Sequence, residues 1–267
     1  MGPKPLYHPE NLSPAYELRY SWTGWPTRGG LPPEGVGVLE RLNAAWEDNG
    51  LRRLEQRWAE DRVQITFSTK THVSPVFLAS RAKGRLQHEL RKSGLTFAGF
   101  SRKVAVRTLG HNRREHVEAY IASQVDRERF CDPSFEALIR EFTVVCPDVD
   151  LSQPTETAHG RYWYNVHIVL VTAERHRVVD RRRLTVLRDT SLAIAEKKGY
   201  GISRLSVMPD HLHTALRGNL EHSPLDIALA FQNNLAYALG QLRIWADTFY
   251  TGTFGEYDMG AVRGSES

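Results

Sequence analysis

The amino-acid sequence predicts an α+β protein made of two tandem units, and three observations predict it. The chain repeats itself: at an offset of 149 residues, SPVFLASRAKGRLQHEL, beginning at Ser74, lies over SPLDIALAFQNNLAYAL, beginning at Ser223, without a gap. Self-similarity at a fixed offset marks duplicated structural units. In both copies, short runs rich in aromatic and branched residues alternate with longer runs of helical period. Finally, 267 residues exceed one ordinary domain of roughly 100 to 200 residues and suit two small ones.

The elements follow in order. In the first copy AYELRYSW at 15–22 reads as a strand, 37–49 as a helix, 62–68 as a strand, 74–92 as a helix opened by Ser-Pro, and 101–107 as a strand. An additional helix is expected at 112–129. In the second copy YWYNVHIVLV opens a strand at 162–172, followed by a helix at 180–198, a strand run at 202–216, a helix at 223–242 and a last stretch at 249–255. DRVQITF at 61–67 lies over DHLHTAL at 210–216, and after a four-residue shift Phe100, Thr108 and Gly110 meet Trp245, Thr253 and Gly255. The expected organisation is a flexible N-terminus at 1–13, a first unit at 14–130, a linker at 131–159 and a second unit at 160–267. The joining segment holds an amphipathic stretch, SFEALIREF, and then the polar DVDLSQPTETAHG.

Composition narrows the class. Hydrophobic residues at 41% and charged residues at 25% are ordinary for a globular protein and exclude a wholly disordered or collagen-like chain. No run approaches the ~20 apolar residues of a bilayer span, and the N-terminus carries prolines rather than an apolar signal core. Neither membrane insertion nor secretion is expected. Two cysteines, Cys131 and Cys146, are too few for a disulfide framework or a cysteine zinc site and suit a reducing cytosol. The net charge of +4 hides an uneven distribution. Residues 81–114 hold ten basic residues against Glu89 alone, interleaved with Phe97 and Phe100, a pattern that binds phosphate backbone and stacks bases as readily as it makes a solvated helix face.

The chemistry concentrates in two places. In VMPDHLHTAL, His211 and His213 flank Leu212 in a run of strand character, so both imidazoles leave one face about 7 Å apart and can share a cation. Ordinary strand packing is the alternative for such a pair. The first copy has Arg62 and Gln64 at the equivalent positions, and a guanidinium cannot replace a neutral imidazole on a metal. In NRREHVEAYIASQVDR, Asn112 with Glu115 resembles a capping box, and Val117, Tyr120, Ile121 and Gln124 share one helical stripe. That spacing suits a buried amphipathic stripe; it also suits a tyrosine nucleophile with an amide oxygen one turn on. The second copy has no equivalent: Tyr120 maps to Ser265, and Gln124 maps beyond Ser267.

With these residues in view, the sequence resembles the single-tyrosine HUH transposases of small insertion sequences and their REP-associated relatives. YNVHIVLVT matches the first strand, VMPDHLHTAL the His-hydrophobic-His motif, KGRLQHEL a helix near the DNA, and YIASQ the Y-x-x-x-Q of nucleophile and third ligand. The resemblance implies ferredoxin-like (RRM-like) domains, each an antiparallel sheet with helices on one face, paired so that one subunit's histidines meet the other's tyrosine helix. It further implies nicking of single-stranded DNA, often beside a hairpin, through a 5′-phosphotyrosine. This chain departs by looking like two members fused, histidines in the second copy only and tyrosine and glutamine in the first only. A pseudo-dimer within one chain is expected, with Tyr120 as nucleophile and His211, His213 and Gln124 on the metal.

Mg²⁺ or Mn²⁺ follows from the resemblance, whereas two imidazoles and an amide suit Zn²⁺ or Ni²⁺ equally by ligand type. Arg81, Lys83, Arg85, Arg102, Lys103 and Arg107 are the expected DNA-binding residues. Tyr162, Trp163 and Tyr164 read as core or as base-stacking groups, His167 as structural or supporting, and Tyr250 and Tyr257 as rival nucleophiles. A single-stranded DNA partner, a cytoplasmic, nucleoid-associated location and no membrane complete the expectation. Two other readings stand beside it: a catalytically inactive hairpin-binding regulator, and a metal-dependent hydrolase that uses water.

Overall fold

The structure is a computed structural model, in which residues 4–240 and 243–255 are described. The first unit runs β1 (Ala15–Glu17), β2 (Arg19–Pro26), α1 (Val38–Glu47), β3 (Leu51–Trp58), β4 (Val63–Thr69), α2 (Pro75–Lys92) and β5 (Phe100–Leu109). Then come α3 (Arg114–Ala122), α4 (Gln124–Arg127), α5 (Pro133–Arg140) and the short strands β6 (Thr143–Val145) and β7 (Thr155–Thr157). The second unit follows as β8 (Gly160–Trp163), β9 (Asn165–Thr172), α6 (Arg181–Lys198), β10 (Gly201–Val207), β11 (His211–Arg217), α7 (Pro224–Ala238) and β12 (Trp245–Thr253).

Two six-stranded sheets result, ordered β3-β4-β2-β5-β8-β7 and β1-β12-β9-β11-β10-β6. Within each, four strands and two helices form the same βαββαβ unit, β2-α1-β3-β4-α2-β5 and β9-α6-β10-β11-α7-β12, with the fourth strand beside the first and the first beside the third. That is the ferredoxin-like order, present twice. Buried Trp22, Trp46, Phe67, Leu78 and Leu86 of the first unit and Leu170, Leu187, Leu212, Phe231 and Leu235 of the second belong to one hydrophobic core that is continuous between the units. The repeated Ser-Pro starts are helix caps: Ser74 accepts from the Phe77 amide, and Ser223 forms a reciprocal capping box with Asp226.

The units exchange strands reciprocally. β1 pairs in parallel with β12, after which the chain passes Leu18 and enters the other sheet as β2. β8 pairs in parallel with β5, after which the chain passes Tyr164 and returns as β9. At each crossing one threonine ties the strands. The Thr253 hydroxyl accepts from the Arg19 amide at 2.8 Å and donates to the Leu109 carbonyl at 2.6 Å. The Thr108 hydroxyl accepts from the Asn165 amide at 3.1 Å and lies 3.0 Å from the Phe254 carbonyl. The glycines beside them are also reciprocal: a Cβ on Gly110 would lie 2.2 Å from the Thr253 oxygen, and one on Gly255 would lie 2.6 Å from the Thr108 oxygen. The Thr and Gly pairs of the internal repeat are therefore the contacts between its copies.

Several sequence expectations change. Each copy has one more strand than the periodicity suggested, because 202–216 is the hairpin β10-β11 and β3 precedes β4. The run at 162–172 is β8 and β9 in different sheets. The segment 131–159 contains α5 as well as β6 and β7, which extend opposite sheets. The helix at 112–129 is α3 and α4, broken at Ser123, and its N-cap is Arg113 without a side-chain cap, so the Asn112 and Glu115 capping box does not form. Replacing Gly110 by Ala should destabilise the protein by ~1–3 kcal/mol, because backbone must shift at the crossing. Urea denaturation measures it, and an unchanged midpoint would contradict the close approach.

Candidate active site at the junction of the two units

The chain leaves the Gly110 crossing as α3 and lies on the sheet of the second unit, on the face opposite α6 and α7. Strand alternation sorts β11 accordingly: Leu212 and Leu216 enter the helix-covered core, whereas Ala215 packs with Val117 and Ile121 of α3, Leu151 and Phe254. His211 and His213 share the Ala215 face. Glu118 of α3 pairs with Arg204 of β10 at 3.7 Å, a second tie between helix and sheet.

These contacts bring Tyr120 to the histidines. Its ring centroid lies 5.5 Å from that of His213 and 6.1 Å from that of His167, both edge to face, and the side chain remains 38% exposed. The Arg127 guanidinium covers the phenol ring at 4.9 Å, with its Nε donating to the Ser123 hydroxyl. His211 and His213 have ring centroids 4.9 Å apart. Gln124 is buried, and its amide donates to the Tyr120 carbonyl at 3.0 Å, closing the turn where the helix breaks.

Each imidazole of the His-x-His pair is held at Nδ1. His211 Nδ1 lies 2.7 Å from the Asp210 carboxylate, whose other oxygen pairs with Arg175 at 3.2 Å. His213 Nδ1 lies 3.0 Å from His167 Nε2. Burial, reinforced by the neighbouring imidazoles, pushes the His213 pKa down to about 2, and burial pushes His167 down to about 4. Both rings are therefore neutral at physiological pH. Burial acts to raise Asp210, but His211 and Arg175 outweigh it and hold the carboxyl below its ordinary range.

A cation here would have to use Nε2 of His211 and of His213 and an oxygen such as that of the Gln124 amide. The donor types fit, because a ring held at Nδ1 keeps Nε2 for a metal. Among the described residues no group of three or more His, Cys, Asp or Glu could hold a metal ion, so carboxylates do not supply the set.

Of the groups around the histidines, sequence reasoning named His167 as structural or supporting and did not single out Asp210. Asp210 is signalled by its place directly before His211, but the pairing of His167 with Ala215, which brings it beside His213, depends on strand register. Tyr250, a rival nucleophile, is on the same face with its ring 5.7 Å from His167, and burial and Glu17 push its phenol up. Tyr257 lies outside the described residues.

The expected DNA contacts divide. Arg102 and Lys103 are exposed, and Arg81 is exposed and stacks on Phe77 at 5.0 Å. Lys83 instead donates to the Ser101 carbonyl at 2.6 Å, Arg85 to Asn49, and Arg107 covers the Trp163 ring at 4.2 Å. Phe97 and Phe100 are buried against each other, and Tyr162 and Tyr164 are core, so none of the four is a stacking platform as the sequence had allowed. No helix among the described residues is long and apolar enough to cross a membrane.

Because His213 and His167 are kept neutral in the fold yet protonate near pH 6.5 when unfolded, the unfolded chain binds more protons below that pH. Stability of the metal-free protein should fall as pH drops from about 6.5 toward 4, by up to ~1.4 kcal/mol per pH unit for each histidine. His213→Asn should flatten the slope in urea melts across this range; an identical slope would contradict the burial effect.

Comparisons with known proteins match part of the chain. Residues 161–263 match the family model described as Transposase IS200 like. A crystal structure provisionally described as a transposase from Deinococcus radiodurans R1 is 21% identical, over 38% of this chain and 86% of that chain, with a TM-score of 0.32. A REP-associated tyrosine transposase bound to a REP hairpin is 13% identical, over 38% of this chain and 61% of that chain, with a TM-score of 0.31; the match spans less than two thirds of that protein. No curated protein matches the sequence. The family match is thus confined to the second unit, which is similar to the IS200-like transposases across residues 161–263.

Proposed function

We propose that the chain is a metal-dependent enzyme that nicks and rejoins single-stranded DNA at one composite site, with the two units acting as a pseudo-dimer. The observation that carries this reading is the 5.5 Å approach of Tyr120, from the first unit's helix, to His213, from the second unit's sheet. Neither unit alone contains both groups.

In this reading Tyr120 Oη attacks a backbone phosphorus in line, the bond from phosphorus to the 3′ oxygen breaks, and the phenol's proton is balanced by the proton gained at that oxygen. The products are a 5′-phosphotyrosine and a free 3′-hydroxyl. Because the new ester keeps its phosphoryl linkage, the same or another 3′-hydroxyl reverses the step, so nicking and strand transfer are one reaction in two directions. A bound Mg²⁺ or Mn²⁺, held by His211, His213 and Gln124, supplies charge neutralisation at the phosphate. Arg127 holds positive charge over the phenol ring, which favours a developing phenolate. Arg81, Arg102 and Lys103 are exposed candidates for backbone contacts, with Lys83, Arg85 and Arg107 available only by giving up internal partners. The hairpin named for the REP-associated neighbour supports a hairpin-bearing substrate.

Incubation with labelled single-stranded hairpin DNA and Mn²⁺ should yield a denaturation-resistant adduct. Tyr120→Phe should abolish it, and His211→Ala combined with His213→Ala should reduce it by at least ~10²-fold. Binding without an adduct on any hairpin would favour the regulator. Cleavage that survives Tyr120→Phe would favour water, or Tyr250, as the nucleophile.

A further inference from the structure

We propose that His167 is a positioning residue: its Nε2 accepts a hydrogen bond from His213 Nδ1 and thereby fixes the tautomer that leaves His213 Nε2 as an acceptor. This rests on the proposed function only in assigning His213 a ligand's task. The hydrogen bond itself belongs to the metal-free molecule.

The argument is one of proton accounting. The contact between His167 Nε2 and His213 Nδ1 is 3.0 Å long, and two neutral imidazoles share one proton across it. If His167 donates, His213 carries its proton at Nε2 and has no lone pair to offer there. If His213 donates, its Nε2 is bare, and His167 must carry its own proton at Nδ1. Only the second arrangement matches His211, whose Nδ1 faces the Asp210 carboxylate at 2.7 Å and is therefore the donor. One partner is a carboxylate and the other an imidazole, yet each engages Nδ1 and leaves Nε2.

The surroundings hold His167 in place. It lies opposite Ala215 on one side and Gly252 on the other. A Cβ on Gly252 would lie 2.3 Å from the Tyr250 hydroxyl, so the Tyr250 ring covers this glycine and meets the His167 ring at 5.7 Å, nearly edge to face. On its other flank His167 is stacked with His213, interplanar angle 21°. Tyr250 is then the wall that keeps His167 in register with His213.

The first unit repeats the geometry with different side chains. Gln64, at the position of His213, donates to the Ser21 hydroxyl at 2.7 Å, and Ser21 occupies the position of His167. Arg62, at the position of His211, pairs with Asp61 at 2.7 Å as His211 does with Asp210. The holding partner is present in both units, so the orienting contact belongs to the fold, while the group it orients decides what can be bound.

The test is long-range ¹H–¹⁵N correlation spectroscopy of the histidine-labelled, metal-free full chain, which distinguishes Nδ1–H from Nε2–H imidazoles. Wild type should show His211 and His213 as Nδ1–H. His167→Phe, which keeps a ring but accepts nothing, should move His213 toward Nε2–H, whereas His167→Gln, whose amide oxygen accepts, should restore Nδ1–H. Calorimetric Mn²⁺ affinity should fall ~10–100-fold in His167→Phe and recover to within about threefold of wild type in His167→Gln. A thermal melt checks that both variants fold. An Nε2–H His213 in wild type, or an unchanged His213 tautomer in folded His167→Phe, overturns the proposal. A wild type that shows the expected tautomers but binds no Mn²⁺ supports the orienting contact and counts against the metal in the proposed function, so the two fail separately.

Discussion

The crossing at Thr108 and Thr253 is the constraint from which the site follows. Two threonine hydroxyls, both buried, each accept from the first strand of the opposite unit and reach a carbonyl at the end of that same opposite unit. Buried backbone groups must find partners, and at a place where two strands leave one sheet for another the ladders cannot supply them all. The hydroxyls do so, and glycines at 110 and 255 let the backbones close to contact distance. With the chain fixed in direction there, α3 has the second unit's open sheet face before it, and its Val117 and Ile121 find Ala215, Leu151 and Phe254. Tyr120 reaches His213 because the helix is anchored at both its start and its apolar side.

On that face two neutral imidazoles lie among charged groups that are paired or stacked. His167 and His213 are uncharged, while Asp210, Arg175, Arg204, Glu118 and Arg127 surround them in pairs or over rings. A group that must bind a cation and a phosphate together benefits from neutral ligands, since permanent positive charge would repel the one and permanent negative charge the other. The first unit presents Arg62 and Gln64 instead, and a guanidinium there excludes a metal by its own charge. The two units thus present faces of similar geometry that carry different side chains.

Much of this was legible in the sequence, and the part that was not has physical reasons. The repeat was readable because Ser-Pro helix starts and a Thr-x-Gly ending survive in register in both copies. The strand β3 was not, because LRRLEQRW is mostly exposed and charged, so it lacks the alternating burial that marks strands. The divided run at 162–172 looked like one strand because a chain that changes sheets at Tyr164 keeps its extended conformation and its apolar composition. Tyr120, Gln124, His211 and His213 were singled out from spacing and resemblance. Asp210 was open to reading from its place directly before His211, whereas the contact of His167 with His213 depends on which residues face each other across strands, which no one-dimensional pattern contains. The basic segment misled in part: Lys83 and Arg85 spend their charge on the molecule's own oxygens.

The strand exchange has a further consequence for what counts as a module. The stretch that matches the transposase family begins at residue 161, yet the sheet it forms is flanked by β1 from near the N-terminus and roofed by α3, which precedes it by some forty residues. The boundary of inherited similarity and the boundary of cooperative folding therefore do not coincide. Each unit lends an edge strand to the other's sheet, so a cut at residue 161 would take β8 from one sheet and leave β1 behind for the other.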